Sequence, residues 1–74
     1  MVKTYHYTIK GSGAGGQTWT TKGVVEADFV YAFDLAMRDS FQQLTQGQAV
    51  YGKPGRGCSG PYDIHSITIE QMRH

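Results

Sequence analysis

Apolar and polar residues alternate one for one at the start of the chain. Tyr5, Tyr7 and Ile9 take one side while Thr4, His6, Thr8 and Lys10 take the other, which predicts a half-buried strand from Val2 to Lys10. A second strand is predicted from Gln17 to Val25, a stretch rich in Thr, Val and Trp. Trp19, Thr21, Gly23 and Val25 share its inner side, with Gly23 a candidate bulge. The Gly11 to Gly16 run between the two strands reads as the loop of a hairpin. The opposite face then carries Thr4, His6, Thr8, Thr18, Thr20, Lys22 and Thr68, a set polar enough to stay wet.

From Glu26 to Gly47 the period changes to that of a helix. At 100° per residue, Phe29, Val30, Phe33, Met37, Ser40, Phe41 and Leu44 fall within an arc of about 120°. They predict the core-facing stripe of a helix from about Asp28 to Gln46, with Asp28 at its start and Gly47 as its C′ residue. Tyr31 and Leu35 fall outside the stripe. They are four residues apart, with Arg38 and Gln42 around them, and form a small apolar patch on the side expected to face water.

Beyond the helix, Gln48 to Gly52 suits a brief strand. The next stretch to Pro61 is rich in glycine and holds both prolines, so it reads as a loop. A last strand is predicted from Tyr62 to Met72. Ile67 and Ile69 share one face there and Ile64 is out of phase, which predicts a bulge near His65 and Ser66. The fold class is a small α+β domain, ββαβ or ββαββ, with one helix packed on one face of an antiparallel or mixed sheet and residues 1–74 forming a single domain.

Size limits function. A domain of 74 residues buries only about 60% of the surface its unfolded chain exposes, so one copy has little room for a deep catalytic cleft. The single cysteine, Cys58, has no partner for an internal disulfide, and no apolar run approaches a membrane span. A cytoplasmic protein without membrane association is expected. The net charge is +1, which is no electrostatic footprint for nucleic acid by itself. Charge is uneven, however. Residues 1–25 carry Lys3, Lys10 and Lys22 without an acid, while residues 26–45 carry Glu26, Asp28, Asp34 and Asp39 against Arg38 alone. Capping and an Asp34 to Arg38 pair at i,i+4 account for much of the helix acidity.

Two glycine patterns invite a chemical reading. Gly11, Gly13 and Gly16 spell G-x-G-x-x-G, but a dinucleotide site needs that turn to open into a helix, and here a strand follows. A flexible hairpin tip is the simpler account. The second is the loop from Tyr51 to Tyr62. Its glycines let backbone N–H groups converge on an anion, Lys53 and Arg56 add positive charge, and Tyr51 and Tyr62 are placed to stack a ring. Gly52-Lys53-Pro54-Gly55 matches the GXXG pattern of KH domains, where that loop joins two helices; here it follows a strand. A long connection needing Gly and Pro for its turns explains the same residues without a ligand.

No catalytic set can be assembled. Cys58 has only His65 near it in sequence, and His6, His65 and His74 lack metal-ligand spacing. No enzyme, cofactor or metal site is expected. In size, absent catalytic apparatus and single α+β unit, the chain resembles the short accessory proteins of bacteriophages and mobile elements, among them anti-CRISPR proteins. That likeness covers architecture, rests on no motif, and implies action by covering a host machine. The leading expectation is therefore a protein-binding module using Tyr31, Leu35 and Arg38, with a protein partner or a second copy as occupant. Nucleic-acid binding through Tyr51, Lys53, Arg56 and Tyr62 is the alternative, and a structural homodimer another.

Overall fold

A computed structural model describes residues 1–52 and 60–72. Lys53, Arg56, Cys58 and His74, and with them most of the glycine-rich loop, lie outside the described residues.

The order along the chain is β1 (Lys3–Ser12), β2 (Thr18–Ala27), α1 (Phe29–Thr45), β3 (Val50–Tyr51) and β4 (Asp63–Gln71). All pairings are antiparallel, and the sheet order is β3-β2-β1-β4. This is the ββαββ form of the expected α+β fold. The β1–β2 ladder is regular from Lys3↔Ala27 to Ser12↔Thr18. Its tip closes through Gly13 N–H to the Gln17 carbonyl at 2.8 Å, with Gly16 at φ 76°, a conformation that suits glycine.

Register follows the alternation. Tyr5, Tyr7, Ile9 and Gly11 stand opposite Val25, Gly23, Thr21 and Trp19 on the helix-bearing face, and Thr4, His6 and Thr8 take the other face. In β4 the pairing slips once: Lys10 faces Ser66 and Gly11 faces Ile64, so His65 is the extra residue. The bulge returns Ile64 to the same face as Ile67 and Ile69. Gly23 departs from expectation, because it pairs normally with Tyr7 and makes no bulge. A Cβ there would come within 2.7 Å of the Tyr7 ring and 2.8 Å of the Asp39 carboxylate, so glycine is required by close approach.

The helix stops through hydrogen bonds from Gly47 N–H to Leu44 O and from Gln48 N–H to Gln43 O, with Gly47 at φ 70°. This is the Schellman pattern, with its left-handed residue supplied by glycine. At the other end Asp28 makes no side-chain cap; its carboxylate meets the Met1 amino group at 2.8 Å.

The helix is rotated from the orientation its apolar residues predict. Its buried residues are Ala32, Ala36, Ser40 and Leu44, a row displaced by about 60° from the predicted stripe. Ser40 and Leu44 are buried as expected and Met37 is half-buried. Phe29, Phe33 and Phe41 are instead 79%, 53% and 58% exposed, and Val30 is exposed with them. Two physical causes act together. The small side chains of Ala32, Ala36 and Ser40 let the helix approach β2 closely, and this orientation gives the polar groups of α1 partners beneath it. The Tyr7 hydroxyl donates to the Asp39 carboxylate, Gln43 Nε2 donates to Tyr7 Oη and to the Lys22 carbonyl at 2.9 Å each, and Ser40 and Thr21 hydroxyls pair at 2.5 Å. Turning the phenylalanines inward would leave the Tyr7 hydroxyl buried without these partners, a cost of about 1–3 kcal/mol that offsets part of what the wet apolar surface forgoes.

The core gathers Tyr7, Ile9, Trp19, Ala36, Leu44 and Ala49, with Tyr51, Tyr62, Ile67 and Ile69 half-buried against it. Gly11 makes room for Trp19: a Cβ there would stand 2.5 Å from the indole and 2.0 Å from the Asp63 carbonyl.

Candidate functional site

A helix with its side chains is about 10–12 Å across and strands lie about 4.8 Å apart, so one helix covers little more than two strands. Here it lies chiefly over β2 and partly over β1. The inner face of β4, with Ile64, Ile67 and Ile69, is left beside the helix instead of under it.

The result is an apolar groove between α1 and β4. One end is a cleft of about 360 Å³ lined by Tyr5, Phe29, Val30, Ala32, Phe33 and Ile69. The other is a cleft of about 450 Å³ whose lining includes Trp19, Met37, Phe41, Leu44, Tyr62 and Ile64. Tyr62 closes the second cleft edge-on to both Trp19 (centroids 6.4 Å, 89°) and Phe41 (6.2 Å, 82°). Trp19 carries a buried indole N–H with no acceptor among the described residues. Among the described residues no charged side chain lines either cleft.

The residues singled out from sequence fall elsewhere. Tyr31 is 61% exposed and Leu35 37% exposed. Leu35 and Arg38 border a shallow depression of about 300 Å³ with Val24, Val25 and Glu26, on the β2 flank of the helix, and Tyr31 is not among its lining residues. Arg38 Nε is held by Asp34 at 3.2 Å, the i,i+4 pair expected from their spacing. Of the loop residues, Tyr51 stands opposite Trp19 in the β2–β3 ladder, and Tyr62 packs on the aromatic cluster. Both rings belong to the edge of the core. Lys53 and Arg56 lie outside the described residues, so the structure does not join them to the tyrosines.

The buried polar network offers no reactive group to solvent. Burial, and then the hydrogen bond and negative charge of Asp39, hold the Tyr7 phenol well above its usual pKa. It therefore stays a neutral donor beneath the helix at physiological pH. Outside the network, Ser12 Oγ and His65 Nε2 lie 3.1 Å apart at the exposed end of β4. Among the described residues there is no group of three His, Cys, Asp or Glu able to hold a metal ion, and no helix long and apolar enough to cross a membrane.

The groove was hidden from the sequence by its own apolar residues, which sequence reading assigns to the core. One signal did point to it. Ala32, Ala36 and Ser40 recur every four residues, and a row of small side chains marks where a helix approaches its support closely. Comparison of the chain with protein-family models, with curated proteins and with solved structures found no match.

Proposed function

We infer that the chain is a non-enzymatic protein-docking module that acts by surface occupation, and that its docking surface is the groove between α1 and β4. One observation carries this reading: three phenylalanines of a single helix stand more than half exposed along one flank, beside a strand whose isoleucines are only half-covered. Scattered exposed apolar residues need no explanation, but a contiguous aromatic patch is the signature of an interface core.

This moves the site from the expected patch at Tyr31, Leu35 and Arg38 to the opposite flank of the same helix. The nucleic-acid alternative gains little, because Tyr51 and Tyr62 pack against the core and, among the described residues, His6 is the one ring that strand pairing sets on the uncovered sheet face for a base to stack on. Covering a larger machine, as small phage accessory proteins do, is the mode of action such a surface serves. A reducing cytoplasm suits the lone Cys58.

The test is site-resolved photocrosslinking in the source cells, with a benzophenone amino acid placed in turn at positions 33, 41 and 31. Polypeptide adducts from 33 and 41, but not from 31, are the expected result. Adducts from 31 alone, or none from any position, would remove the groove as the docking surface.

A further inference from the structure

The geometry points to a second copy of this chain as the occupant of the groove, joined by antiparallel pairing of β4 with β4 into one continuous eight-stranded sheet. The inference rests on the docking reading above and names its partner.

The first argument is the state of the two sheet edges. On the β2 side, β3 takes up the backbone at Thr18 and Thr20, Gln43 takes the Lys22 carbonyl at 2.9 Å, and Lys22 and Glu26 place charges along the remainder. Those are the devices by which an edge is closed to further strands. On the β4 edge such devices stand only toward the ends, with Asp63 and the bulge at His65 on one side and Glu70 on the other. The strand is nine residues long, and from Ser66 to Ile69 it holds no charge, proline or glycine. Among the described residues no strand pairs with its outer side.

The second argument is polarity. Met72 N–H donates to the Thr4 carbonyl at 2.8 Å. By antiparallel alternation, Glu70, Thr68 and Ser66 therefore exchange bonds with β1. The backbone N–H and C=O groups of Ile67 and Ile69 point the other way, off the sheet. Their side chains face the groove, so a strand added here is held by main-chain bonds and sealed by the same two residues. Pairing about a two-fold axis at Thr68 sets Ile67 against Ile69 of the second copy and Glu70 against Ser66 of the second copy. No like charges meet.

The third argument is fit. With a phenylalanine presenting about 200 Å², the exposed fractions of Phe29, Phe33, Phe41 and their apolar neighbours leave roughly 500 Å² per chain. Two copies together bring up to about 1,000 Å² of apolar surface to the joint before the strand edge is counted, which is the lower bound of a specific interface when wholly covered. Spacing sets the form of the joint: a helix chiefly over β2 stands about 7–10 Å inside β4, so the two-fold sets the helices about 20–24 Å apart on one face. That is wider than the distance of about 8–10 Å between directly packed helices, so the joint is made by the paired strands and their isoleucines, with the phenylalanines forming the walls of one continuous apolar trough.

Two measurements on the full chain decide the matter. Sedimentation equilibrium should show a monomer at low micromolar concentration and a dimer at high micromolar. Over the same range, amide exchange at Ile67 and Ile69 should slow by about tenfold or more, while Ser66 and Thr68 stay protected throughout. A synthetic chain N-methylated at Ile69 loses only an outward donor, so it should keep the β1–β4 ladder and remain monomeric. A dimer in which Ile67 and Ile69 exchange freely, or one that survives N-methylation, overturns the edge pairing. A chain monomeric at every concentration overturns the second copy. In that last case, crosslinks from position 33 to a different polypeptide would leave the docking surface standing, and their absence would remove both.

Discussion

The two flanks of α1 solve opposite problems. Toward β2 the helix is closed: small residues, a glycine opposite them, and a network in which Tyr7, Asp39, Gln43, Ser40 and Thr21 bond to one another. Toward β4 it is open and mostly apolar, with no charged side chain among the described residues. The helix is turned so that its small residues and its polar side chains meet β2 and β1, while the larger apolar residues stand on the remaining side. A hydrophobic stripe records how much apolar surface a helix carries. Which way the helix faces also depends on where its buried hydroxyls and carboxylates find partners.

The sharpest way to break the contrast is to enlarge the closed flank. Ala36 is fully buried over β2, so Ala36→Leu must either distort the helix or roll it toward β4. We expect a loss of about 3 kcal/mol, at the upper end of overpacking costs, read as a lower urea midpoint. The same enlargement at Val30, on the open flank, should leave that midpoint unchanged. Equal losses at both positions would mean the two flanks do not differ.

Tyr7→Phe tests the network itself. The change removes one buried hydroxyl and strips Asp39 of its donor, for an expected cost of about 1–3 kcal/mol. It also has a pH signature. The folded Tyr7 pKa lies above the unfolded value of about 10, so the contribution of the phenol is intact below pH 10 and is lost as pH rises above it. The stability gap between wild type and Tyr7→Phe should therefore narrow above about pH 10 in denaturant titrations. A gap independent of pH would place the phenol outside the network. Ser40→Ala should do less. It removes a single hydroxyl pair with Thr21, which keeps a second acceptor in the Ile9 carbonyl, and about 1 kcal/mol is expected.

Much of this architecture was legible residue by residue. Alternation placed Tyr5, Tyr7 and Ile9 on the inner face, and the phase error at Ile64 located the bulge at His65. Gly47 was recognised as the residue ending the helix because only a few side chains tolerate positive φ. Legibility ended where a residue's role depended on its neighbour across space. Gly23 looked like a bulge because the Tyr7 ring and Asp39 that crowd it are distant in sequence. Tyr7 counted as an apolar strand residue until its hydroxyl required an acceptor. The groove itself follows from a width, one helix against four strands, which no local pattern contains.

The smallest expected effect separates folding from assembly. Phe33 is half exposed, and in Phe33→Lys a long apolar stem replaces the covered half of the ring while the charge reaches water, so the stability of the isolated chain should shift by only about 0.5 kcal/mol. Measured at low micromolar concentration, wild type and variant should melt together. At high concentration only wild type gains from mass action, because a dimer stabilises the folded state in proportion to its occupancy. A melting difference that appears only on concentration therefore assigns Phe33 to the joint between copies. A difference that is present at every concentration assigns it to the core of one chain, and the open flank would then be part of the fold's support.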